Sequence, residues 1–198
     1  MADFTGKIVL ITGAGKGTGR RVAEAFAARG ATLAVNDVSP VNLDETVAHI
    51  LASGGKVKAY VEDIAKKMPV QTLLNSVMDE FGRLDILVNC AEVEPQKTVL
   101  EMDDWDWQRT MDVNLNGPFF LTQSVGRIMK EKGGGVIVHV GERATSSESR
   151  AAYFASKAGL AAMAALAAYE LSEFGICVYY LQPEKTGDTA KQILELCV

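Results

Sequence analysis

The 198-residue chain predicts an α/β fold: one domain in three layers, a doubly wound parallel sheet of about six strands with helices on both faces. Two observations predict it. Short apolar runs near residues 7–12, 32–36, 56–61, 85–89, 135–140 and 176–181 alternate with helical stretches near 18–29, 41–53, 66–81, 102–131 and 152–173. The residues that packing explains least well each follow one of those runs, which places them along a single crevice at the strands' carboxyl ends. Right-handed crossovers put helices on both faces, and a reversal of strand order, 3-2-1-4-5-6, opens that crevice. Apolar residues make up 48% of the chain and no linker or repeat divides it, so residues 1–198 read as a single domain.

The first strand, Lys7-Ile8-Val9-Leu10-Ile11, runs into Thr12-Gly13-Ala14-Gly15-Lys16-Gly17-Thr18-Gly19 and then into the helical Arg20-Arg21-Val22-Ala23-Glu24-Ala25-Phe26. Glycines at a strand-to-helix junction let the backbone approach a pyrophosphate, while the first helical N–H groups and the dipole face the anion. A Rossmann-like dinucleotide site is therefore expected. A P-loop is not, because Lys16 is followed by Gly17 where Ser or Thr is required.

The second strand, Ala31 to Asn36, ends at Asp37. A carboxylate there accepts hydrogen bonds from ribose hydroxyls and repels a 2′-phosphate, which favours NAD over NADP. Lys16 argues for NADP, since a cation inside the turn can pair with that phosphate. A structural alternative for Asp37 is the N-cap of the following helix.

At the head of the last helical stretch stands Tyr153-Phe154-Ala155-Ser156-Lys157. Residues at i and i+4 share a helix face, so the Lys157 ammonium can stabilise a Tyr153 phenolate. Bringing a phenol from near ~10 to about 7 takes roughly 4 kcal/mol of differential stabilisation. The pair is a candidate acid/base device, although Tyr and Lys at this spacing also occur as a solvated pair.

Taken together, these motifs resemble the short-chain dehydrogenase/reductase family over nearly the whole chain. Thr12-Gly13 to Gly19 resembles its glycine turn, Asp63 its adenine-contacting acid, and Leu87-Val88-Asn89-Cys90-Ala91 the strand leading into its NNAG segment. Asn114 matches its catalytic Asn, Tyr153 and Lys157 its YxxxK pair, and Gly175 to Val178 with Pro183 its sixth strand and PG turn. The resemblance implies that Tyr153 exchanges a proton with an alcohol or carbonyl while hydride passes to or from a nicotinamide. Lys157 would lower the Tyr153 pKa and hold the nicotinamide ribose, and Asn114 would anchor a water relay. The cofactor contacts it implies are Thr12, Gly13, Gly15, Lys16, Gly17, Thr18, Gly19, Asp37, Asp63, Ile64, Asn89, Ala91, Tyr153, Lys157, Pro183 and Thr186.

Three positions depart from that pattern, and each has become a glutamate. Glu142 stands where the family has a substrate-binding Ser, Glu92 replaces the last Gly of the NNAG segment, and Glu184 replaces the Gly of the PG turn. Losing one oxyanion donor typically costs about 10² to 10³ in rate, though a protonated Glu142 could donate in its place. The hydroxyls of Thr145-Ser146-Ser147-Glu148-Ser149 are potential substitutes, or a solvated turn. A cluster of acids weakens binding of an anionic dinucleotide, or favours NAD⁺ over NADH because the oxidised ring is a cation. The chain is also shorter than is usual in the family: past Pro183 only a short amphipathic tail, Ala190 to Val198, is expected, with the seventh strand and the substrate-covering helices missing and the site open to water. Two function classes follow, an oxidoreductase and a catalytically impaired relative with a cofactor-binding, regulatory or assembly role.

The formal charge of −5 and pI near 5.1 provide no basic face for nucleic acid. The start of the chain carries no signal sequence and no run of about 18 apolar residues is evident, so a cytoplasmic protein without a membrane partner is expected. Cys90, Cys177 and Cys197 lack metal or disulfide spacing, His49 makes no metal pattern, and His139 reads as a satisfied strand-end residue. The Ala-rich stretch 152–173 offers small residues on nearly every side, which points to a second buried face. With 102–131 it matches the dimer-forming helices of the similar family, implying a homodimer or homotetramer.

Overall fold

The computed structural model describes residues 3–142, 149–183 and 188–198. Six parallel strands, β1 (Ile8–Thr12), β2 (Thr32–Asp37), β3 (Lys56–Val61), β4 (Ile86–Asn89), β5 (Gly135–Val140) and β6 (Ile176–Leu181), form one sheet in the order β3-β2-β1-β4-β5-β6. The connecting helices are α1 (Gly17–Ala27), α2 (Pro40–Ala52), α3 (Lys67–Phe81), α4 (Asp104–Met111), α5 (Gly117–Lys132) and α6 (Ala151–Leu171), and α7 (Thr189–Leu196) ends the chain.

Alternate residues of β1 divide the core. Val9 and Ile11 face α1, α2 and α7 through Val22, Phe26, Leu43, Ile50 and Ile193. Ile8 and Leu10 face the other layer, with Leu73 and Val77 of α3, Leu121 and Val125 of α5 and Ala164 of α6. Burial on both faces explains why the central strands are almost continuously apolar. The short amphipathic tail expected over Ala190 to Val198 is thus a layer helix. Asp188 caps it by accepting from the N–H groups of Ala190 and Lys191 at 3.0 and 3.3 Å, and Ile193 and Leu194 bury its apolar side.

The stretch expected as one helix over 102–131 is two, separated by a wide π turn at Asp112–Asn116. Pro118 has no N–H to give the Asn114 carbonyl four residues earlier, and the Gly117 N–H bonds instead to Asp112 O, five residues back. Gly117 also lets this turn approach Ile64, whose carbonyl would stand 2.8 Å from a Cβ there. The wide turn carries Asn114 inward, where it is buried. Contrary to expectation, residues Ala151–Phe174 are long and apolar enough, by length and composition alone, to cross a membrane. In this fold α6 lies over β6 and turns Tyr153, Ser156, Lys157 and Leu160 into the protein.

Candidate active site

The crevice begins at the turn between β1 and α1. Gly13 has φ +64°, and a Cβ on it would meet the Ala91 Cα at 2.5 Å, so strand β4's extension lies directly against bare backbone. A Cβ on Gly19 would stand 2.2 Å from the Gly13 carbonyl oxygen, which closes the turn on itself. Two residues that sequence reasoning missed brace it. The Arg20 guanidinium donates to Gly15 O at 2.5 Å and to Thr46 Oγ1 at 2.9 Å, and the Thr46 hydroxyl donates to Ala14 O at 2.9 Å. Nothing in the helix periodicity separates Arg20 from an ordinary solvated arginine; its burial depends on α2 lying alongside.

Asp37 does not cap α2, a role taken by Ser39, whose hydroxyl accepts from the Asn42 N–H. Asp37 Oδ2 accepts from Gly15 N–H at 2.9 Å and Oδ1 from Ser39 N–H at 3.0 Å. The acid read as a ribose ligand therefore also supports the turn. Asp63 pairs with Arg109 at 2.8 and 3.3 Å and accepts from Ala65 N–H. Burial alone would raise its pKa, but the Arg109 and Ala65 hydrogen bonds and the Arg109 and Lys66 charges outweigh it and hold the carboxyl below its usual range. Lys16, exposed, shares the crevice with Gly17, Thr18, Asp37, Asp63, Ile64, Ala91 and Glu92, enclosing about 370 Å³.

Beneath this lining, Asn89 Nδ2 lies 3.2 Å from His139 Nδ1, and His139 Nε2 lies 3.3 Å from Thr122 Oγ1. The Thr122 hydroxyl is committed as a donor to Pro118 O at 2.7 Å, so it accepts from Nε2–H and leaves Nδ1 to accept from Asn89. Burial, aided by the Lys157 charge, pushes the His139 pKa down to about 4. The Oδ1 of Asn89 is buried without a hydrogen-bond partner among the described residues.

At the far end α6 brings Tyr153 and Lys157 together, and Glu92 joins them. The Tyr153 hydroxyl donates to Glu92 Oε2 at 2.9 Å, and Lys157 Nζ stands 2.8 Å from the same oxygen while donating to Val140 O at 2.9 Å. The expected lowering of the phenol pKa by Lys157 is outweighed in this arrangement. Burial, then the charge and hydrogen bond of Glu92, then Glu142, push Tyr153 well above the ordinary phenol value. Lys157 lies 5.3 Å from the ring centroid with its charge directed to Glu92.

Glu142, expected to replace the substrate-binding Ser, stays beside the Tyr153 phenol but is held by Arg150. Its two oxygens accept from Arg150 at 3.0 and 3.3 Å, and Arg150 also donates to Glu94 at 2.6 Å. A carboxylate held by a guanidinium presents no donor to a substrate oxygen. Tyr180, also missed, fixes its backbone: the phenol accepts from Glu142 N–H at 3.3 Å and stacks where a Cβ on Gly141 would come within 2.1 Å. Asn114 donates from Nδ2 to Val93 O at 2.9 Å and Ser156 Oγ at 3.1 Å, and its Oδ1 accepts from Val93 N–H at 2.9 Å. Its amide therefore positions the segment carrying Glu92. Pro183 follows β6, whereas Glu184, Thr186 and the loop 143–148 lie outside the described residues.

Comparison with known proteins gives these features a common setting. A family model described as short chain dehydrogenase matches residues 7–193. The chain is 40% identical over 186 residues to an uncharacterised oxidoreductase of Thermotoga maritima, covering 93% of this chain and 73% of that protein. A solved short chain dehydrogenase from Mycobacterium smegmatis superposes with a TM-score of 0.90 at 31% identity, over 98% of this chain and 86% of the other. NAD⁺-bound xylitol dehydrogenase matches at a TM-score of 0.88 and 28% identity, over 98% of this chain and 77% of the other. A metagenomic short-chain oxidoreductase in complex with NADP matches at 0.92 and 25%, over 98% and 91%.

Proposed function

The chain belongs to the short-chain dehydrogenase family, and from that premise we propose that it is an NAD-dependent oxidoreductase that interconverts an alcohol and a carbonyl. One observation carries the reading: Glu92, which lines the glycine-turn crevice, also touches Tyr153 and Lys157, so the buried acid/base pair lies one carboxylate away from the space the turn frames.

The glycine turn, with its left-handed Gly13, fits a pyrophosphate, and Thr12, Gly15, Gly17, Thr18 and Gly19 would flank it. Asp37, with a carboxylate at the crevice wall, suits ribose hydroxyls and opposes a 2′-phosphate. The bound dinucleotide would accept or supply hydride at its nicotinamide. Every other step falls to side chains of the chain. In carbonyl reduction the Tyr153 hydroxyl donates its proton to the substrate oxygen as that oxygen becomes an alkoxide, and in alcohol oxidation it takes the proton back. The Lys157 ammonium, anchored on Val140 O, keeps positive charge beside the phenol while it is deprotonated. Asn114 holds Val93 and with it the approach of Glu92.

The exposed apolar residues Phe119, Leu166 and Tyr169 of α5 and α6 support a homo-oligomer formed through these helices, which light scattering at micromolar concentration would test. The functional reading is tested by titrating NAD, NADP and NADH and screening alcohols and ketones with the protein and its Tyr153→Phe variant. Turnover with NAD that falls by at least about 10² in the variant supports it. Undiminished turnover in the variant, or none in the parent, overturns it.

A further inference from the structure

Glu92 binds the acid/base pair asymmetrically. One oxygen, Oε2, serves both the Tyr153 hydroxyl at 2.9 Å and Lys157 Nζ at 2.8 Å. The Lys157 side chain is 4% exposed and the Glu92 side chain 42%. The carboxylate can therefore swing into solvent and regain its hydration, whereas the ammonium stays in the interior and must find another partner. Val140 O is the partner it keeps. A ribose hydroxyl arriving at Lys157 is neutral and competes there with a full negative charge.

Resting on the functional reading above, we infer that Glu92 is a positioning residue that holds Tyr153 and Lys157 together and competes with the dinucleotide's nicotinamide ribose for Lys157. The glycine turn then sets affinity for the adenosine half, and Glu92 sets affinity for the nicotinamide half. Glu94 is the internal comparison. It carries the same charge two residues along, but its carboxylate is held by Arg150.

Calorimetry with two probes separates these contributions. NAD engages both halves of the crevice, and ADP only the turn. Glu92→Gln and Glu92→Gly are expected to bind NAD at least about tenfold more tightly than the parent, with ADP affinity unchanged, while Glu94→Gln moves neither. Equal NAD affinity in parent and Glu92 variants overturns the inference, as does a tightening that ADP or Glu94→Gln reproduces. A second arm needs no ligand. The Tyr153 phenol is surrounded by Glu92, Glu142, Lys157 and Arg150, and its near-ultraviolet titration is isolated by difference against Tyr153→Phe. Glu92→Gln should ionise this phenol at lower pH than the parent, and an unmoved titration overturns the inference even in a protein that binds no dinucleotide. A shifted titration without NAD binding in any variant would defeat the functional reading and leave the Glu92 contact standing.

Discussion

At the glycine-turn end of the crevice, Asp37 and Asp63 accept from the site's own frame: Gly15 and Ser39 N–H for one, Arg109 and Ala65 N–H for the other. At the α6 end, Glu92 sits on the groups assigned to proton transfer, and Glu142, paired with Arg150, stands beside the same phenol. The same functional group stabilises backbone in one place and occupies reactive side chains in the other. The difference lies in what each carboxylate can reach. Asp37 has free amides within one side-chain length, while Glu92 has a buried ammonium that needs a counter-charge.

The sharpest way to break the turn end is Gly19→Ala. Its Cβ would collide with the Gly13 carbonyl, so NAD and ADP binding should both be lost and unfolding should be easier by about 1–3 kcal/mol, measured by denaturant titration. Full ADP binding in that variant would show that the turn does not hold the adenosine half.

The α6 end is sharpened through His139. Its folded pKa of about 4 lies below the unfolded value of 6.5, so the unfolded chain binds more protons between those limits and stability falls as pH drops from about 6.5 toward 4. The stability is fully present above the upper limit. The contribution is about 2–3 kcal/mol, and a His139→Gln variant should lose that share of the pH dependence when urea unfolding is compared at the two limits. An identical pH dependence would contradict the neutral, buried imidazole.

Asp37→Asn gives a smaller effect. The side chain can still accept at Gly15, but the charge opposing a 2′-phosphate is gone, so NADP should gain about tenfold relative to NAD, or about 1.4 kcal/mol. A preference that stays unchanged in paired titrations would remove Asp37 from cofactor selection and turn attention to Lys16.

Strand positions and the glycine turn were legible in the chain because they depend on local periodicity and on glycine at a strand end, whereas the 3-2-1-4-5-6 order followed from the doubly wound fold that these elements imply. Tyr153 and Lys157 were legible as a pair because a single helix carries both. The break in the 102–131 helix is partly written in Pro118, whose missing N–H stands within an otherwise strongly helical stretch. Arg20, Thr46, Arg150 and Tyr180 carried no such signal, since each acts through at least one partner 26 to 56 positions away. The three glutamates could be recognised as departures from a pattern, but the direction in which each side chain turns could not. Residue types and short-range spacing specify which groups are present and which elements carry them. The destination of a flexible carboxylate depends on the cations and amides that distant elements bring within a few ångströms of it, and only the folded chain supplies those.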